Sequence, residues 1–135
     1  IWALLDAGID EVRLSNRTRS RADALQSVFG SRLRIYDWDA TPDMLQGAMT
    51  VVNTTSLGMA GNGDFPFDFS ALNAGATATD IVYNPLETVF LQQAKARGCH
   101  TIDGLGMLLH QAAPGFARWF GEMPSVDQAS RDVVL

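Results

Sequence analysis

Four arginines stand close together near the start of the chain with no acidic residue between them: Arg13, Arg17, Arg19 and Arg21. Because the formal net charge of the chain is -5, this basic run reverses the local charge and indicates an anion site. The run begins in a predicted strand and reaches into a predicted helix, which is where open α/β sheets bind their ligands. A solvated basic loop is the alternative interpretation.

The type of anion follows from the residues of this loop. In dinucleotide-binding domains, the loop after the second strand faces the adenosine ribose, where an acid suits the 2′-hydroxyl of NAD and an arginine suits the 2′-phosphate of NADP. The corresponding loop here contains Asn16 and Arg17 and no acid. The residues therefore predict NADP as the cofactor.

A second polar group follows the apolar residues 51–52. It consists of Asn53, Thr54, Thr55 and Ser56, whose short side chains donate and accept hydrogen bonds. At the carboxyl end of a strand, these side chains would lie near the nicotinamide or its ribose. An ordinary strand exit made of turn-forming residues is the alternative.

A third group lies at the start of a predicted helix. Gly104 and Gly106 would let the backbone approach a flat ring closely. Met107 and Gln111 share one helix face because they are four residues apart, and they would suit an aromatic ring and hydroxyl groups respectively. The alternative is a glycine-rich turn into an amphipathic helix with three side chains packed inward: Leu108, Phe116 and Trp119.

Tyr83 ends a further predicted strand. Its phenol would either pack at an interface or donate a hydrogen bond to a substrate. Pro85, two residues later, forces the chain out of the strand. The residues leave both roles of the phenol open.

Apolar runs of strand length alternate with helix-like stretches along the chain. This alternation predicts a Rossmann-like α/β fold, a doubly wound parallel sheet with helices on both faces. Residues 61–69 are expected to form one long irregular loop. The predicted strands cover 12–14, 33–36, 51–52, 77–82 and 100–102. The first predicted helix ends at Ala7. A short helix is expected to begin at Thr41, as its capping residue, with Pro42 in the first turn. The other predicted helices cover 20–29, 88–97 and 107–120.

The first strand of such a fold and its glycine-rich turn are not found in this chain. Residues 1–7 look like the second half of the helix that this turn would introduce. We therefore interpret the chain as a piece of a longer protein. Because the missing strand normally lies in mid-sheet, we do not expect the piece to fold on its own.

The composition sets further limits. The chain has 135 residues, of which 47% are hydrophobic, and suits one domain. No apolar run reaches the roughly 20 residues that span a membrane, and no signal peptide is found, so a cytoplasmic location is expected. Because Cys99 is the one cysteine, it permits no internal disulfide, and with His100 and His110 alone it provides no metal cluster. We interpret Cys99 as a buried apolar group. The acidic balance argues against nucleic acid as a partner.

Four motifs together resemble the cofactor-binding half of the shikimate dehydrogenase family, in order and spacing, over nearly the whole chain. They are Asn16-Arg17-Thr18 with Arg21, and the stretches 53–59, 80–88 and 103–111. The resemblance implies that the 2′-phosphate of NADP lies against Asn16, Arg17, Thr18 and Arg21. It places the nicotinamide pocket against Ile81 and Gly104, with Met107 beside them, and the substrate's hydroxyl or carboxylate groups against Tyr83 and Gln111. Thr54, Thr55 and Ser56 are the further cofactor-binding candidates.

The resemblance also implies a reaction, the reversible reduction of 3-dehydroshikimate to shikimate in aromatic amino acid biosynthesis, the chorismate pathway. In the family, a lysine and an aspartate of an amino-terminal substrate domain handle the proton, so no catalytic residue is expected in this chain. Lys95 is interpreted as a solvated charge near the carboxyl end of a helix. The implied organisation is a partial NADP-binding domain over 1–121 and a carboxyl-terminal helix within 122–135 that packs back toward the substrate domain. A homodimer is a further possibility.

Several residues are given structural roles. Ser125 and Gln128 read as a capping box for a helix over 126–135. Asp103 is expected to set the glycine turn or to pair with a neighbour, and His110 is not expected to be catalytic because it points away from Gln111. The tryptophans are interpreted as core or domain contacts: Trp2, Trp38 and Trp119.

Two functional alternatives stay open at this point. One is a quinate or shikimate dehydrogenase paralogue that uses NAD, which predicts an acid near Asn16, where none is found. The other is a non-catalytic nucleotide-sensing module that kept the fold and lost the chemistry.

Overall fold

The computed structural model describes residues 1–63 and 68–135, which divide into two units. One unit contains Ile1–Ala48 together with residues 68–73, and the other contains residues 49–63 together with residues 74–135. Part of the irregular loop predicted over 61–69 lies outside the described residues.

The amino-terminal unit is built around two parallel strands that are joined by a helix. Val12 pairs with Leu33 and Ser15 with Tyr36, so both strands end at the same edge. Leu33 is fully buried in the core of this unit, as is Ala22 from the joining helix. The elements are α1 Trp2–Asp6, β1 Val12–Ser15, α2 Arg19–Phe29, a 3₁₀ turn Gly30–Arg32, β2 Leu33–Tyr36 and α3 Thr41–Leu45.

The carboxyl-terminal unit contains three parallel strands in the order β3-β4-β5. Phe90 and Ala94 of the helix between the second and third strands are fully buried, because that helix covers one face of the sheet. The elements are β3 Thr50–Asn53, β4 Thr77–Asp80, α4 Val89–Ala96, β5 His100–Ile102, α5 Leu105–Phe120 and α6 Gln128–Val133.

The predicted α/β class with parallel strands is confirmed, and the differences lie at element ends. The predicted strand 77–82 stops at Asp80 because the Val82 N–H turns to the Asp80 carboxylate, 2.9 Å away, instead of continuing the ladder. α5 begins at Leu105 rather than Met107, since Asp103 Oδ1 accepts from the Leu105 N–H at 3.0 Å and closes a turn just before the helix, with Gly104 at the N-cap position.

Two predicted caps are wrong. α6 begins at Gln128 and is capped by Asp127, whose carboxylate accepts from the Ser130 N–H at 2.9 Å. Ser125 contributes only its carbonyl, which accepts from the Ser130 hydroxyl. Asp127 thus takes the capping role that the spacing of Ser125 and Gln128 had assigned to the serine. Thr41 is the first residue of α3 and not its cap, and its hydroxyl donates to the Trp38 carbonyl instead.

The predicted inward packing of α5 is also wrong at its carboxyl end. The residues of α5 that are buried are Leu105 and Ala113, whereas Phe116 is 42% exposed and Trp119 is 82% exposed. Trp2 is 69% exposed, so it is not a core residue of the described chain, and its interpretation as a domain contact stays a prediction. The helical period identifies an apolar face correctly, but it does not say what covers that face. Within residues 1–63 and 68–135, no helix combines the length and the apolarity needed to cross a membrane.

Candidate functional site

The loop between β1 and α2 holds the first group of predicted site residues. Asn16 Oδ1 accepts from the Thr18 N–H at 2.8 Å, which closes a tight turn just before the helix. Thr18 is the N-cap residue of α2, but its hydroxyl makes no capping hydrogen bond. The loop therefore presents a free hydroxyl beside the first N–H groups of an eleven-residue helix, an arrangement that favours anions.

Two of the four arginines are already engaged by protein groups. The Arg13 guanidinium donates to the carbonyls of Met44 at 2.9 Å and Gln46 at 2.7 Å, so it satisfies the end of α3. Arg19 forms ion pairs with Asp23, at 2.9 Å, and with Asp37. These partners raise the pKa of Arg19 through hydrogen bonds, first from Asp23 and then from Asp37. Protein groups therefore already engage two of the four arginines of the predicted anion site.

The other two arginines are free to meet a ligand. Arg17 and Arg21 are exposed, and neither guanidinium has a hydrogen bond or ion pair with any residue that the structure describes. Both lie in the same short stretch, two residues before and two residues after Arg19. An unneutralised pair of guanidinium groups is suited to a phosphate, which accepts charge-assisted hydrogen bonds.

In the carboxyl-terminal unit, the ends of β3 and β4 meet at a buried polar cluster. Asn53 and Asp80 are register partners, and both are almost completely buried. The Asp80 carboxylate accepts from Asn53 Nδ2 at 3.0 Å, from the Val82 N–H at 2.9 Å and from Thr88 Oγ1 at 2.6 Å. Thr88 is the N-cap residue of α4, and its oxygen also accepts from the Leu91 N–H. One carboxylate thus joins both strand ends to the start of a helix.

The turn after β3 is shaped by the same cluster. Asn53 Oδ1 accepts from both the N–H and the hydroxyl of Thr55, at 3.0 and 2.7 Å, and Thr55 Oγ1 accepts from the Leu57 N–H at 3.1 Å. The Thr55 hydroxyl is therefore used within the protein. Thr54 and Ser56 are exposed, and their hydroxyls have no partner among the described residues. Of the three predicted cofactor residues here, two present free hydroxyls.

Gly104 sits against the main chain that follows β4. A Cβ at this position would lie 2.4 Å from the Ile81 carbonyl oxygen and 2.7 Å from that of Val82, and the Gly104 N–H donates to the Val82 carbonyl at 3.3 Å. The structure thus brings together Ile81 and Gly104, two predicted nicotinamide residues. The sequence predicted that Gly104 and Gly106 let the backbone approach a flat ring closely. In the structure, Gly104 closely approaches the main chain of residues 81–82, whereas a Cβ at Gly106 would meet no atom within 4 Å.

The remaining predicted site residues are exposed. Met107 and Tyr83 are each 45% exposed, and Gln111 lies one turn beyond Met107 on α5. Neither the Tyr83 hydroxyl nor the Gln111 amide has a hydrogen-bond partner among residues 1–63 and 68–135. An open recess of about 470 Å³ lies beside the turn at Gly58 and the Asn84–Pro85 bond, and none of the predicted site residues lines it.

Asp103 has both of the roles expected of it. It sets the glycine turn by accepting from the Leu105 N–H, and it forms a bidentate ion pair with Arg131 of α6, one contact being 3.1 Å. The hydrogen bond from Arg131 is the largest of the effects that lower the pKa of Asp103, ahead of the Leu105 N–H. The pair therefore ties α6 to the segment that carries Gly104 and Met107.

The Asp103–Arg131 pair predicts a specific pH dependence. Because the pKa of Asp103 is lowered in the folded protein, the stabilisation is present above the ordinary aspartate pKa of about 4 and is lost as pH falls through the lowered value. The free energy of unfolding should differ between wild type and Arg131→Gln at pH 5–8, and the difference should vanish in acid. Urea titrations of both proteins from pH 2.5 to 8 measure this. A difference that persists unchanged at the acid end would contradict the assignment.

Other ionisable side chains have ordinary structural roles. Lys95 is exposed and pairs with Glu87 at 3.0 Å, as expected of a solvated charge. Cys99 is buried, as predicted, and burial raises the pKa of its thiol. His110 lies exposed on α5. Within the described part of the chain, no three histidine, cysteine or acidic side chains are grouped so that they could hold a metal ion.

Sequence reasoning did not single out the roles of Asp80 and Thr88, and it placed Asn53 in the polar group near the cofactor rather than in a buried cluster. A usable signal exists for Thr88, since a threonine just before an apolar helix is a common N-cap. A second signal exists for Asp80, because an aspartate at the end of an apolar strand needs buried hydrogen-bond donors. The partners themselves lie 27 and 8 residues from Asp80, so only the fold reveals them.

The comparisons with known proteins agree with one another. A family model described as shikimate 5′-dehydrogenase C-terminal domain matches residues 104–129. The shikimate dehydrogenase (NADP(+)) of Cereibacter sphaeroides is 56% identical over all 135 residues, which correspond to 48% of that protein. The chain thus spans about half the length of the curated relatives it matches.

Solved structures of two related dehydrogenases match most of the chain. A shikimate 5-dehydrogenase from Thermus thermophilus, in complex with NADP(H) and shikimate, has a TM-score of 0.76 and 36% identity, covering 92% of this chain and 45% of that one. A quinate dehydrogenase from Corynebacterium glutamicum, in complex with NAD, has a TM-score of 0.80 and 33% identity, covering 92% and 46%. The chain therefore belongs to the shikimate dehydrogenase family and corresponds to its carboxyl-terminal portion.

Proposed function

We propose that this chain is the NADP-binding portion of an NADP-dependent shikimate dehydrogenase, which interconverts 3-dehydroshikimate and shikimate in aromatic amino acid biosynthesis. The observation that carries the proposal is the pair of unneutralised guanidinium groups of Arg17 and Arg21 at the loop after β1. The relative from Cereibacter sphaeroides, 56% identical to this chain, is named an NADP(+) enzyme.

The 2′-phosphate end of NADP suits the β1–α2 loop. A phosphate needs cationic donors that no protein carboxylate has already neutralised, and Arg17 and Arg21 meet this requirement. The free Thr18 hydroxyl and the start of α2 add donors. Asn16 holds the turn through Thr18 and would bind through its remaining amide group. These residues fit the cofactor.

The nicotinamide end suits the carboxyl ends of β3, β4 and β5. Ile81 and Gly104 would form the wall beside the ring, with Met107 on the adjoining helix turn. Thr54 and Ser56 would donate their free hydroxyls, whereas Thr55 would bind only through its main chain because its hydroxyl is used internally. Tyr83 and Gln111, exposed and without partners among the described residues, would contact the substrate.

The chemistry divides between the cofactor and the protein. When bound, NADPH supplies the hydride, so this chain has to bind it, orient it and hold the substrate beside it. The exposed lysine, Lys95, is paired with Glu87, so it is not assigned the proton. We place the proton-transferring lysine and aspartate in an amino-terminal substrate domain, toward which α6 would pack.

The NAD-using quinate alternative is not favoured. A quinate dehydrogenase with NAD has a similar fold, but the loop of this chain that would face the ribose presents arginines and no acid. The non-catalytic sensor is kept as an outcome of the experiment below. A cytoplasmic location, a homodimer and the lack of nucleic-acid binding stay predictions.

The cofactor assignment predicts the behaviour of Arg17→Ala in the intact gene product. Loss of a charge-assisted hydrogen bond of about 1.5–3 kcal/mol should weaken NADP binding by about tenfold or more. NAD binding should change little, since NAD lacks the 2′-phosphate. Dissociation constants of both cofactors, together with shikimate oxidation rates, measure the effect.

Arg19→Ala is the matched control. Arg19 is in the same run, but Asp23 and Asp37 already engage its guanidinium, so its removal should weaken NADP binding less than removal of Arg17. Equal losses of NADP and NAD affinity in Arg17→Ala would refute the 2′-phosphate assignment. NADP binding without turnover of shikimate by the wild type would favour the sensor.

A further inference from the structure

We propose that Asp80 is a positioning residue for the nicotinamide end of the site and that it acts on the reaction through the main chain around it. The inference rests on the proposed function. Asp80 is 1% exposed, so it acts on a ligand only through other residues. Three segments far apart in the chain depend on it, and each carries residues assigned above to the cofactor.

The first segment is the turn after β3. Asp80 holds the Asn53 amide at 3.0 Å, and the same amide donates to the Leu57 carbonyl at 3.2 Å. The opposite side of that amide, Asn53 Oδ1, holds the N–H and the hydroxyl of Thr55. Orientation of the Asn53 amide by Asp80 therefore decides where the turn that carries Thr54 and Ser56 lies.

The second and third segments follow β4 and β5. Asp80 accepts from the Val82 N–H at 2.9 Å, which fixes the peptide between Ile81 and Val82. The Val82 carbonyl then accepts from the Gly104 N–H at 3.3 Å. Because Gly104 leaves no space for a side chain against Ile81, a shift at Asp80 passes directly to these two residues, which are assigned to the wall beside the nicotinamide.

The third hydrogen bond to the Asp80 carboxylate anchors the cluster. Thr88 Oγ1 accepts from the Leu91 N–H, so its single hydrogen is directed to Asp80 at 2.6 Å. The start of α4 thereby holds the carboxylate in one orientation. Every group around Asp80 is a donor, and only an acceptor with two oxygens satisfies all three.

Asp80→Asn in the intact gene product tests the proposal. The amide keeps one oxygen for Asn53 and Val82, but its NH2 group replaces the oxygen that accepts from Thr88. We expect kcat for shikimate oxidation to fall by about tenfold or more because hydride transfer depends on geometry. The KM for NADP should change much less, since the Arg17 and Arg21 loop is untouched. The kinetic isotope effect with shikimate deuterated at the reacting carbon should rise.

Two further variants separate positioning from simple loss of stability. Leu33→Val shortens a fully buried core residue of the amino-terminal unit and should lower the Tm while kcat and the isotope effect stay at wild-type values. Thr88→Val removes the anchoring hydroxyl and should lower kcat as Asp80→Asn does, whereas Thr88→Ser should restore it. If Asp80→Asn does not fold, the comparison of kcat between Thr88→Val and Thr88→Ser tests the positioning role instead.

The outcomes are distinct. Wild-type kcat and isotope effect in folded Asp80→Asn or Thr88→Val, with only the Tm lowered, would overturn the proposal and leave Asp80 as a structural residue. A wild-type protein that neither binds NADP nor oxidises shikimate would overturn the proposed function and this inference with it. A fall in kcat that Thr88→Ser reverses supports the positioning role.

Discussion

The Gly104→Ala variant is expected to lose about 3 kcal/mol of its free energy of unfolding, at the upper end of what overpacking costs. The added methyl group would lie 2.4 Å from the Ile81 carbonyl oxygen and 2.6 Å from its carbonyl carbon. Both are main-chain atoms of a segment held by Asp80, so no flexible side chain is available to move aside. The backbone angle at Gly104 is compatible with any residue, with φ at -77°, so the effect is steric alone.

Gly106→Ala is the control for this prediction. It adds the same methyl group two residues later, inside the first turn of α5, where nothing lies within 4 Å. Alanine favours the helix there and should stabilise it by up to about 1 kcal/mol. Urea unfolding of both variants in the intact gene product, with amide exchange at Val82 and Gly104, measures the contrast. Equal stability of the two variants would contradict the close approach seen at Gly104.

The second large effect is expected for Asp80→Ala, which should cost about 3–5 kcal/mol of unfolding free energy. The substitution removes the acceptor of three buried donors, those of Asn53, Val82 and Thr88. A buried donor left without a partner costs about 1–3 kcal/mol, and the Val82 N–H and the Thr88 hydroxyl have no other acceptor among the described residues.

The matched substitution is Asp39→Ala. Asp39 is exposed and makes no hydrogen bond or ion pair among the residues that the structure describes, so its removal should change stability by about 0.5 kcal/mol or less. Chemical denaturation of the two variants under identical conditions compares them. An Asp80→Ala protein as stable as Asp39→Ala would show that the cluster contributes nothing to stability.

The strands and most helices could be predicted because local patterns determine them. Val12–Ser15 and Leu33–Tyr36 are short runs rich in strand-forming residues, and a helix of suitable length separates them. The end of β4 could not be predicted in this way. It depends on the Val82 N–H turning to a side chain, and the pattern of apolar residues continues through Val82.

The arginine run shows the same limit at the site. Residue types predicted an anion site, but the choice between free and engaged arginines depends on partners elsewhere in the fold. Arg13 meets the carbonyls of Met44 and Gln46, which lie 31 and 33 residues away. Arg19 meets Asp37, whose position is set by β2. Tertiary contacts therefore select Arg17 and Arg21 from four candidates that are alike in sequence.

The exposed end of α5 illustrates a third limit. The amphipathic-helix interpretation of α5 places Phe116 and Trp119 inward, but both are exposed in the part of the chain that the structure describes. Phe116 contacts Phe120 on the same helix, with ring centroids 4.5 Å apart. A hydrophobic stripe shows that a helix face suits an apolar environment, but its period carries no information on which segment supplies that environment.

The pairing of Asn53 with Asp80 has a consequence for how the chain selects its own fold. A parallel strand that slips by one residue turns all of its side chains to the opposite face. In this unit, such a slip of β3 would place Val52 or Thr54 opposite Asp80 and would leave a buried carboxylate without its amide partner. Each misregistered pairing of β3 and β4 therefore costs free energy, because it leaves Asp80 without Asn53. The cluster thus disfavours wrong strand alignments that hydrophobic burial alone would not exclude.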